Sequence, residues 1–239
     1  MKLSLGRDNI FKRAGNQSME IEPVKTYFSS DMKKNNFMIE LKKCYQNPHE
    51  IFQRVMKVND LVFINKKNNG DIKGYLFYSF INDQIITIND IMHKLIYNGY
   101  AFINEKYRTT GLLQELLLFS TNYFKSVYSE TFDQLLFYAV TSNPIAYRSY
   151  LNTFNTLKPK PDERISDTDI LITKFLREQL LIKNECTGNP FSIRTELPQR
   201  YNENMRQTLR APQLPETQFM HKLHINEQNG DRLLFYWVA

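Results

Sequence analysis

The sequence predicts an α/β fold of the α+β type, a sheet flanked by helices, and three observations predict it. Residues 61–65 and 72–80 are apolar runs joined through Asn68-Asn69-Gly70-Asp71. Asn-Gly is a strong hairpin signal because both residues tolerate positive φ. Residues 100–104 read as a strand that turns through a Thr- and Gly-containing loop into an apolar-periodic helix, residues 111–128. Residues 134–140 read as a buried strand, and Asn143-Pro144 then opens a second helix with a good N-cap and a proline suited to the first helical position.

In chain order, residues 1–23 are mixed and polar and are expected to form a loose lead-in. Residues 24–28 suit a first strand. Ser29-Ser30-Asp31 offers an N-cap to a helix over residues 32–45, with Phe37, Met38, Leu41 and Cys44 at helical spacing. A second helix starts at Pro48 and carries Ile51, Phe52, Val55 and Met56 on one face. Residues 82–96 mix isoleucines with Asn and Asp and read as a connection with room for a short helix. The helix from Gly111 turns Leu113, Leu116, Leu117, Phe124 and Val127 toward a sheet. Lys158-Pro159-Lys160-Pro161 breaks the chain after the next helix. Residues 169–182 suit one more helix, and residues 186–218 a long Pro-, Asn- and Arg-containing loop of the kind that covers a site. Around Asn229-Gly230, Leu223 and Ile225 alternate on one side, and Leu233, Phe235 and Trp237 on the other. That pattern predicts a terminal hairpin over residues 219–239. The expected organisation is a single domain over residues 1–239, with residues 155–218 as an insertion or cover.

Of the 239 residues, 42% are hydrophobic and 23% charged, an ordinary globular balance that excludes wholesale disorder. The net charge of +6 suits an anionic ligand. No run of five Lys/Arg occurs, so nucleic acid is not the expected partner. Arg194, Arg200, Arg206 and Arg210 with Tyr201 could track phosphates, but a solvated loop explains them more simply. Cys44 and Cys186 lie far apart, and the four histidines are scattered, so no zinc spacing exists and no metal is expected. Both cysteines are read as reduced thiols of a cytoplasmic protein. No stretch reaches the 18 apolar residues of a membrane span.

The chemistry concentrates in Arg108-Thr109-Thr110-Gly111-Leu112-Leu113. At a strand-to-helix turn the first N–H groups have no intrahelical partners, and the helix dipole adds about half a positive charge, so the turn can hold phosphate. Arg108 and Lys106 add full charges. The segment resembles the acyl-CoA pyrophosphate loop of the GNAT N-acetyltransferase superfamily: Arg108, Gly111, Leu116 and Leu117 fit the pattern, whereas Leu113 stands where the family usually has Gly or Ala. Asn143, Ala146 and Tyr150 fit the family's next strand–helix unit. Ala146 and Tyr150, four residues apart, share one helix face. The resemblance covers about residues 61–150.

The resemblance implies a mixed, mostly antiparallel sheet and an N-acyltransferase that uses acetyl-CoA or another acyl-CoA. It implies a gap between two strands that takes the pantetheine arm, with backbone groups at Phe102 and Ile103 bonding its amides. The amides from Arg108 through Thr109, Thr110, Gly111 and Leu112 to Leu113 would hold the pyrophosphate, Asn143 would contact pantetheine, and Tyr150 would protonate the leaving thiolate. Glu105, Asp90, His93 or a water chain could serve as base. The acceptor would be a small-molecule or protein amine, and a homodimer is an open option. The competing expectation is a non-catalytic module of the same fold that binds acyl-CoA or a protein.

Overall fold

The computed structural model describes residues 10–12, 17–80, 84–182, 188–195, 201–210 and 214–239. Its centre is a mixed sheet of nine strands: β1 (Ile10–Lys12), β2 (Gln17–Pro23), β3 (Leu61–Lys67), β4 (Ile72–Ser79), β5 (Ile85–Ile88), β6 (Ile91–Ile103), β7 (Gln134–Thr141), β8 (Ser192–Arg194) and β9 (Asp231–Val238). The order is β1-β2-β3-β4-β6-β7-β9-β8, with β5 added against the first part of β6. Every pairing is antiparallel except β6 with β7. The expected architecture, a mostly antiparallel sheet flanked by helices, is therefore present.

Two helical layers cover the sheet. The turn α1 (Val24–Tyr27) and helices α2 (Asp31–Cys44) and α3 (Pro48–Val58) lie on one face; α4 (Leu112–Tyr128) and α5 (Pro144–Thr153) lie on the other. Strand alternation sorts the core accordingly. Val62, Ile64, Tyr75 and Phe77 join Phe37, Leu41 and Val55. Phe63, Leu76 and Tyr78 join Leu116, Leu117 and Phe124. The first core is an aromatic box in which Phe37 stands 5.6 Å from Phe77 and 5.8 Å from Phe102. In the second, Phe137 stacks at 5.2 Å on Trp237, which stacks at 4.8 Å on Phe154.

Several expectations need correction. Gln17–Pro23 is not a loose lead-in: it pairs with all of β3 from Gln17↔Lys67 to Pro23↔Leu61, because Met19 and Ile21 alternate into the core. Val24–Tyr27 is a helical turn rather than a strand, since the ladder ends at Pro23, which fixes its own backbone angle. Residues 82–96 hold no helix among those described. Ile85–Ile88 and Ile91–Ile103 form a hairpin through Asn89 and Asp90, both at positive φ (50° and 65°), which is the primed-turn geometry. The last hairpin is half right. Residues 215–222 form helix α8 (Pro215–Lys222), with Pro215 at its start and Phe219 stacked on Tyr147 at 5.9 Å. Only the return strand exists, and β9 takes its place between β7 and β8. Within the stretch expected to be loop lie β8 and α7 (Glu203–Arg210), while Cys186 and Arg200 fall outside the described residues. Helix α6 (Asp167–Gln179) begins at a capping box made by Ser166 and Asp169, slightly ahead of its expected start.

The buried tyrosines set an alkaline limit on the fold. Burial pushes the Tyr27 phenol up to about 12 and also raises those of Tyr78, Tyr97, Tyr138 and Tyr147. An unfolded phenol ionises near about 10. Because the folded values are raised, this contribution to stability is fully present below about pH 10 and is lost as pH rises above it. The urea midpoint should stay level from about pH 8 to about pH 10 and then fall steeply. A midpoint unchanged through about pH 11 would show that these phenols ionise freely in the native state.

Candidate active site

The parallel pair β6–β7 runs from His93↔Gln134 to Asn98↔Ala139 and then stops. Beyond that point β6 stays with β4 as far as Ile103, and β7 stays with β9 as far as Leu233. Between them opens a cleft of about 230 Å³, lined on one side by residues 98–103 and on the other by Ala139, Val140 and Thr141.

A β-bulge opens it. Tyr100 faces Phe77 and Asn98 faces Tyr78, so Gly99 has no partner on β4. A bulge bends its strand and increases the local twist, here turning β6 away from β7. The buried Asn98 secures the kink by donating from Nδ2 to the Phe77 carbonyl at 2.8 Å. Gly99 is needed because Asn59 sits against it: a Cβ there would lie 2.1 Å from Asn59 Oδ1.

At the mouth, a 3₁₀ turn over Glu105–Tyr107 leads to Gly111, which caps α4 at φ 77°, ψ 4° with no side-chain cap. Leu112, Leu113 and Gln114 form the first turn, whose N–H groups have no intrahelical acceptors. Thr110 is not the cap; its hydroxyl donates to the Tyr107 carbonyl at 2.9 Å. The Leu112 side chain is in the core, whereas Thr109 and the Leu113 side chain line the cleft.

Arg108 turns its guanidinium toward α2 and α7. Nε donates to the Ile103 carbonyl at 3.3 Å, Nη2 to Cys44 Sγ at 3.2 Å and Nη1 to Met205 Sδ at 3.6 Å. Among the described residues no carboxylate pairs with it. Burial pushes the Cys44 thiol up, against the pull of Arg108, so the sulfur is a neutral partner. The Phe102 ring is held in the aromatic box beside Phe37, and Ile103 reaches the cleft edge.

On the opposite wall Asn143 is the N-cap of α5. Its Oδ1 accepts from the N–H groups of Ile145 (2.9 Å) and Ala146 (3.0 Å), which leaves the NH₂ for a ligand. Tyr150 is one turn beyond Ala146, 3% exposed and at the cleft floor. Its ring meets Phe235 edge-on at 4.9 Å, and its hydroxyl donates to Asn98 Oδ1. Burial raises its phenol well above 10, so it carries its proton at neutral pH.

The structure thus brings Phe102, Ile103, Arg108, Thr109, Leu113, Asn143 and Tyr150 around one cleft, with Gly111 and Leu112 in the turn at its mouth. It does not bring in the expected bases. His93 is buried at the far end of β6, bonded to the Ile91 carbonyl and to Gln134 Oε1, both at 2.9 Å. Asn98 lies five positions further along the strand, about 17 Å away. Asp90 sits at the β5–β6 turn, and Glu105 lines an outer hollow with Lys42 and Lys43. Sequence reasoning missed Asn98, Asn59 and the pair Tyr45–Tyr201, which lines the cleft with rings stacked at 5.2 Å. Asn98-Gly99 did carry a signal, since an isolated Gly inside a strand often marks a bulge. Of the four arginines, Arg194 pairs with Asp231 at 2.8 Å and Arg206 with Glu227 at 3.3 Å. Among the described residues no group of three metal-ligating side chains occurs, and no helix is long and apolar enough to cross a membrane.

Neither a family model nor a curated protein matches the sequence. Among solved structures, the chain is similar to an AtaT toxin mutant bound to the C-terminus of the antitoxin AtaR and acetyl-CoA. The identity there is 12%, over 65% of this chain and 90% of that one, with a TM-score of 0.40. It is also similar to the GNAT family N-acetyltransferase YhbS from Escherichia coli in complex with CoA (12% identity, 59% and 70% covered, TM-score 0.37). A third is a spermidine N-acetyltransferase SpeG chimera from Vibrio cholerae and hSSAT (12% identity, 62% and 87% covered, TM-score 0.40). At these scores, function rests on the geometry of the cleft itself.

The two glycines should respond differently to alanine. At Gly111 the added Cβ meets only Gln114 Oε1, at 3.6 Å, so the cost is the left-handed backbone, about 1–2 kcal/mol. At Gly99 the Cβ would displace Asn59. Chemical denaturation should show the larger loss for Gly99→Ala; equal losses would mean that the bulge tolerates a side chain.

Proposed function

We propose that the chain is an acyl-CoA-dependent N-acyltransferase that moves an acetyl or other acyl group directly from the thioester to an amine. One observation carries the proposal. The parallel strands part at a built bulge, and the cleft they open runs from an uncapped helix N-terminus at Gly111 to a buried, protonated phenol at Tyr150. A long ligand with an anionic end and an extended amide-bearing arm suits that shape. Its pyrophosphate would bond the first-turn N–H groups of α4 and those of the loop from Arg108. Its amides would pair with backbone groups on the cleft side of β6 near Phe102 and Ile103, as an added strand does, and there they would share the Ile103 carbonyl with Arg108. Asn143 would donate from its NH₂ to the arm.

The amine would attack the thioester carbon as a free base, having lost a proton to water, because none of the expected bases lines the cleft. As the carbon–sulfur bond breaks, Tyr150 would pass its proton to sulfur, the attached nitrogen would release its extra proton to water to leave the amide, and CoA would leave as a thiol. Within residues 155–218, Tyr201 and α7 would cover the acceptor side: Tyr201, Met205 and Thr208 line the cleft. The acceptor is an amine, with a polyamine, an aminoglycoside-like compound, an amino acid and a protein amine as candidates.

The Leu113 side chain, standing in the cleft, favours a second reading: a module that binds acyl-CoA without turning it over. Calorimetry with acetyl-CoA, followed by thiol release over a panel of primary amines, separates the two. Acetyl-CoA should bind and, at 100 times its Kd, raise stability by about 2.7 kcal/mol. Gly111→Val should remain folded and lose that binding, because a branched side chain dislikes the left-handed turn and displaces the amides. No binding to the parent chain at millimolar acetyl-CoA would end the proposal.

Tyr150→Phe tests the acid. It keeps the ring contacts and removes the proton, so kcat should fall by about 100- to 10,000-fold while KM for acetyl-CoA changes little. An equal kcat in both proteins would reduce Tyr150 to packing.

A further inference from the structure

We infer that Asn98 is a positioning residue for Tyr150, holding its hydroxyl proton at the point where β6 and β7 part. The inference rests on the acyltransfer reading above and adds to it the group that sets the acid in place. Asn98 is 2% exposed and has two bonds of opposite sense. Nδ2 donates to the Phe77 carbonyl at 2.8 Å, and Oδ1 accepts from the Tyr150 hydroxyl. The first bond fixes the second. A flipped carboxamide would set its oxygen against the Phe77 carbonyl and its NH₂ against the phenol. Tyr150 must therefore be the donor in the resting protein, with its proton directed at Asn98.

This arrangement joins two devices that act at the same place. The bond to Phe77 spans the β4–β6 pairing at the bulge that opens the cleft. The bond to Tyr150 ties α5, across the splay, to that bulge. The phenol oxygen is thus fixed on the strand that lies along the thioester, and its hydrogen is stored on a weak, neutral acceptor. When the carbon–sulfur bond breaks, the thiolate is the stronger acceptor and takes the proton. The phenolate left behind faces a carbonyl oxygen rather than a donor, so it recovers a proton from solvent and the resting bond re-forms. No other co-reactant is needed.

Asn98→Asp discriminates between positioning and mere packing. A protonated aspartic acid can imitate the carboxamide, donating to the Phe77 carbonyl and accepting from Tyr150. Once ionised it can no longer donate, and it binds the phenol proton more strongly. The Asn98→Asp protein should therefore match the parent kcat at the acid end of its pH range. It should lose about tenfold per pH unit above its own carboxyl ionisation, a limb the parent lacks. Asn98→Ala should lower kcat by about 100-fold, with the Kd for acetyl-CoA within about threefold of the parent. Proton NMR of the chain without ligand supplies a readout independent of turnover. A slowly exchanging tyrosine hydroxyl resonance should be present in the parent and absent from both Tyr150→Phe and Asn98→Ala.

An Asn98→Asp pH profile parallel to that of the parent would overturn the inference, as would a hydroxyl resonance that survives in Asn98→Ala, and in both cases acyl transfer itself would stand. A parent chain that binds no acetyl-CoA would overturn both. Should Asn98→Ala fail to fold, the low-pH recovery of Asn98→Asp still decides the matter.

Discussion

The structure depends on one hydrogen-bonded kink, the bulge at Gly99 clasped by the Asn98 carboxamide. A parallel pair whose strands stay together buries its backbone edges and offers a ligand no place between them. Here the pairing of β6 with β7 is abandoned after Asn98, and the edge that no longer pairs with β7 becomes the lining of a cleft. Unpaired backbone groups cost free energy unless water or a ligand meets them. Arg108 meets one of them, at the Ile103 carbonyl, and neighbouring strands keep the rest of the sheet paired. Asn59 wedged against Gly99, Asn98 across to Phe77 and Tyr150 on Asn98 are successive parts of this one feature.

Around it, chemistry divides between backbone and side chains. The end at which we propose that the pyrophosphate binds is a backbone device: an αL glycine, an uncapped first turn and a helix dipole supply positive potential with no committed side chain. Arg108 is not spent there at rest. Its guanidinium spans the sulfur atoms of Cys44 and Met205 and so links the loop to α2 and α7. The end at which we propose that transfer occurs is a side-chain device, in which a deeply buried phenol keeps its proton because burial penalises the phenolate.

Much of this was legible in the residues, for physical reasons that can be named. Asn143-Pro144 announces a helix start because the side chain of one and the ring of the other each solve a problem of the first turn. Asn69-Gly70 announces a hairpin for a similar local reason. What was not legible depended on distant partners. Residues 17–23 look polar, yet Met19 and Ile21 are strand residues once β3 lies beside them. Residues 219–225 alternate like a strand, yet Phe219 and Met220 find a better surface on α5, and Pro215 starts a helix that delivers them there. Local pattern could not choose between those outcomes, because the packing surface is made by residues some seventy positions earlier.

The candidate site shows the same division. Gly111, Asn143 and Tyr150 carry their chemistry in local motifs and could be picked out one by one. Asn98 could not, since its importance comes from Phe77 on one side and Tyr150 on the other, far away in sequence and adjacent only in the fold. A carboxamide in an apolar strand next to a glycine looks like a flaw in the pattern. Buried polar groups in a core are disfavoured unless every bond is made. Asn98 makes its bonds to a strand backbone and to a phenol, and both lie at the one place where the sheet must come apart. A polar residue that interrupts an otherwise apolar strand beside a glycine is therefore better read as a question about what it holds than as noise in the strand.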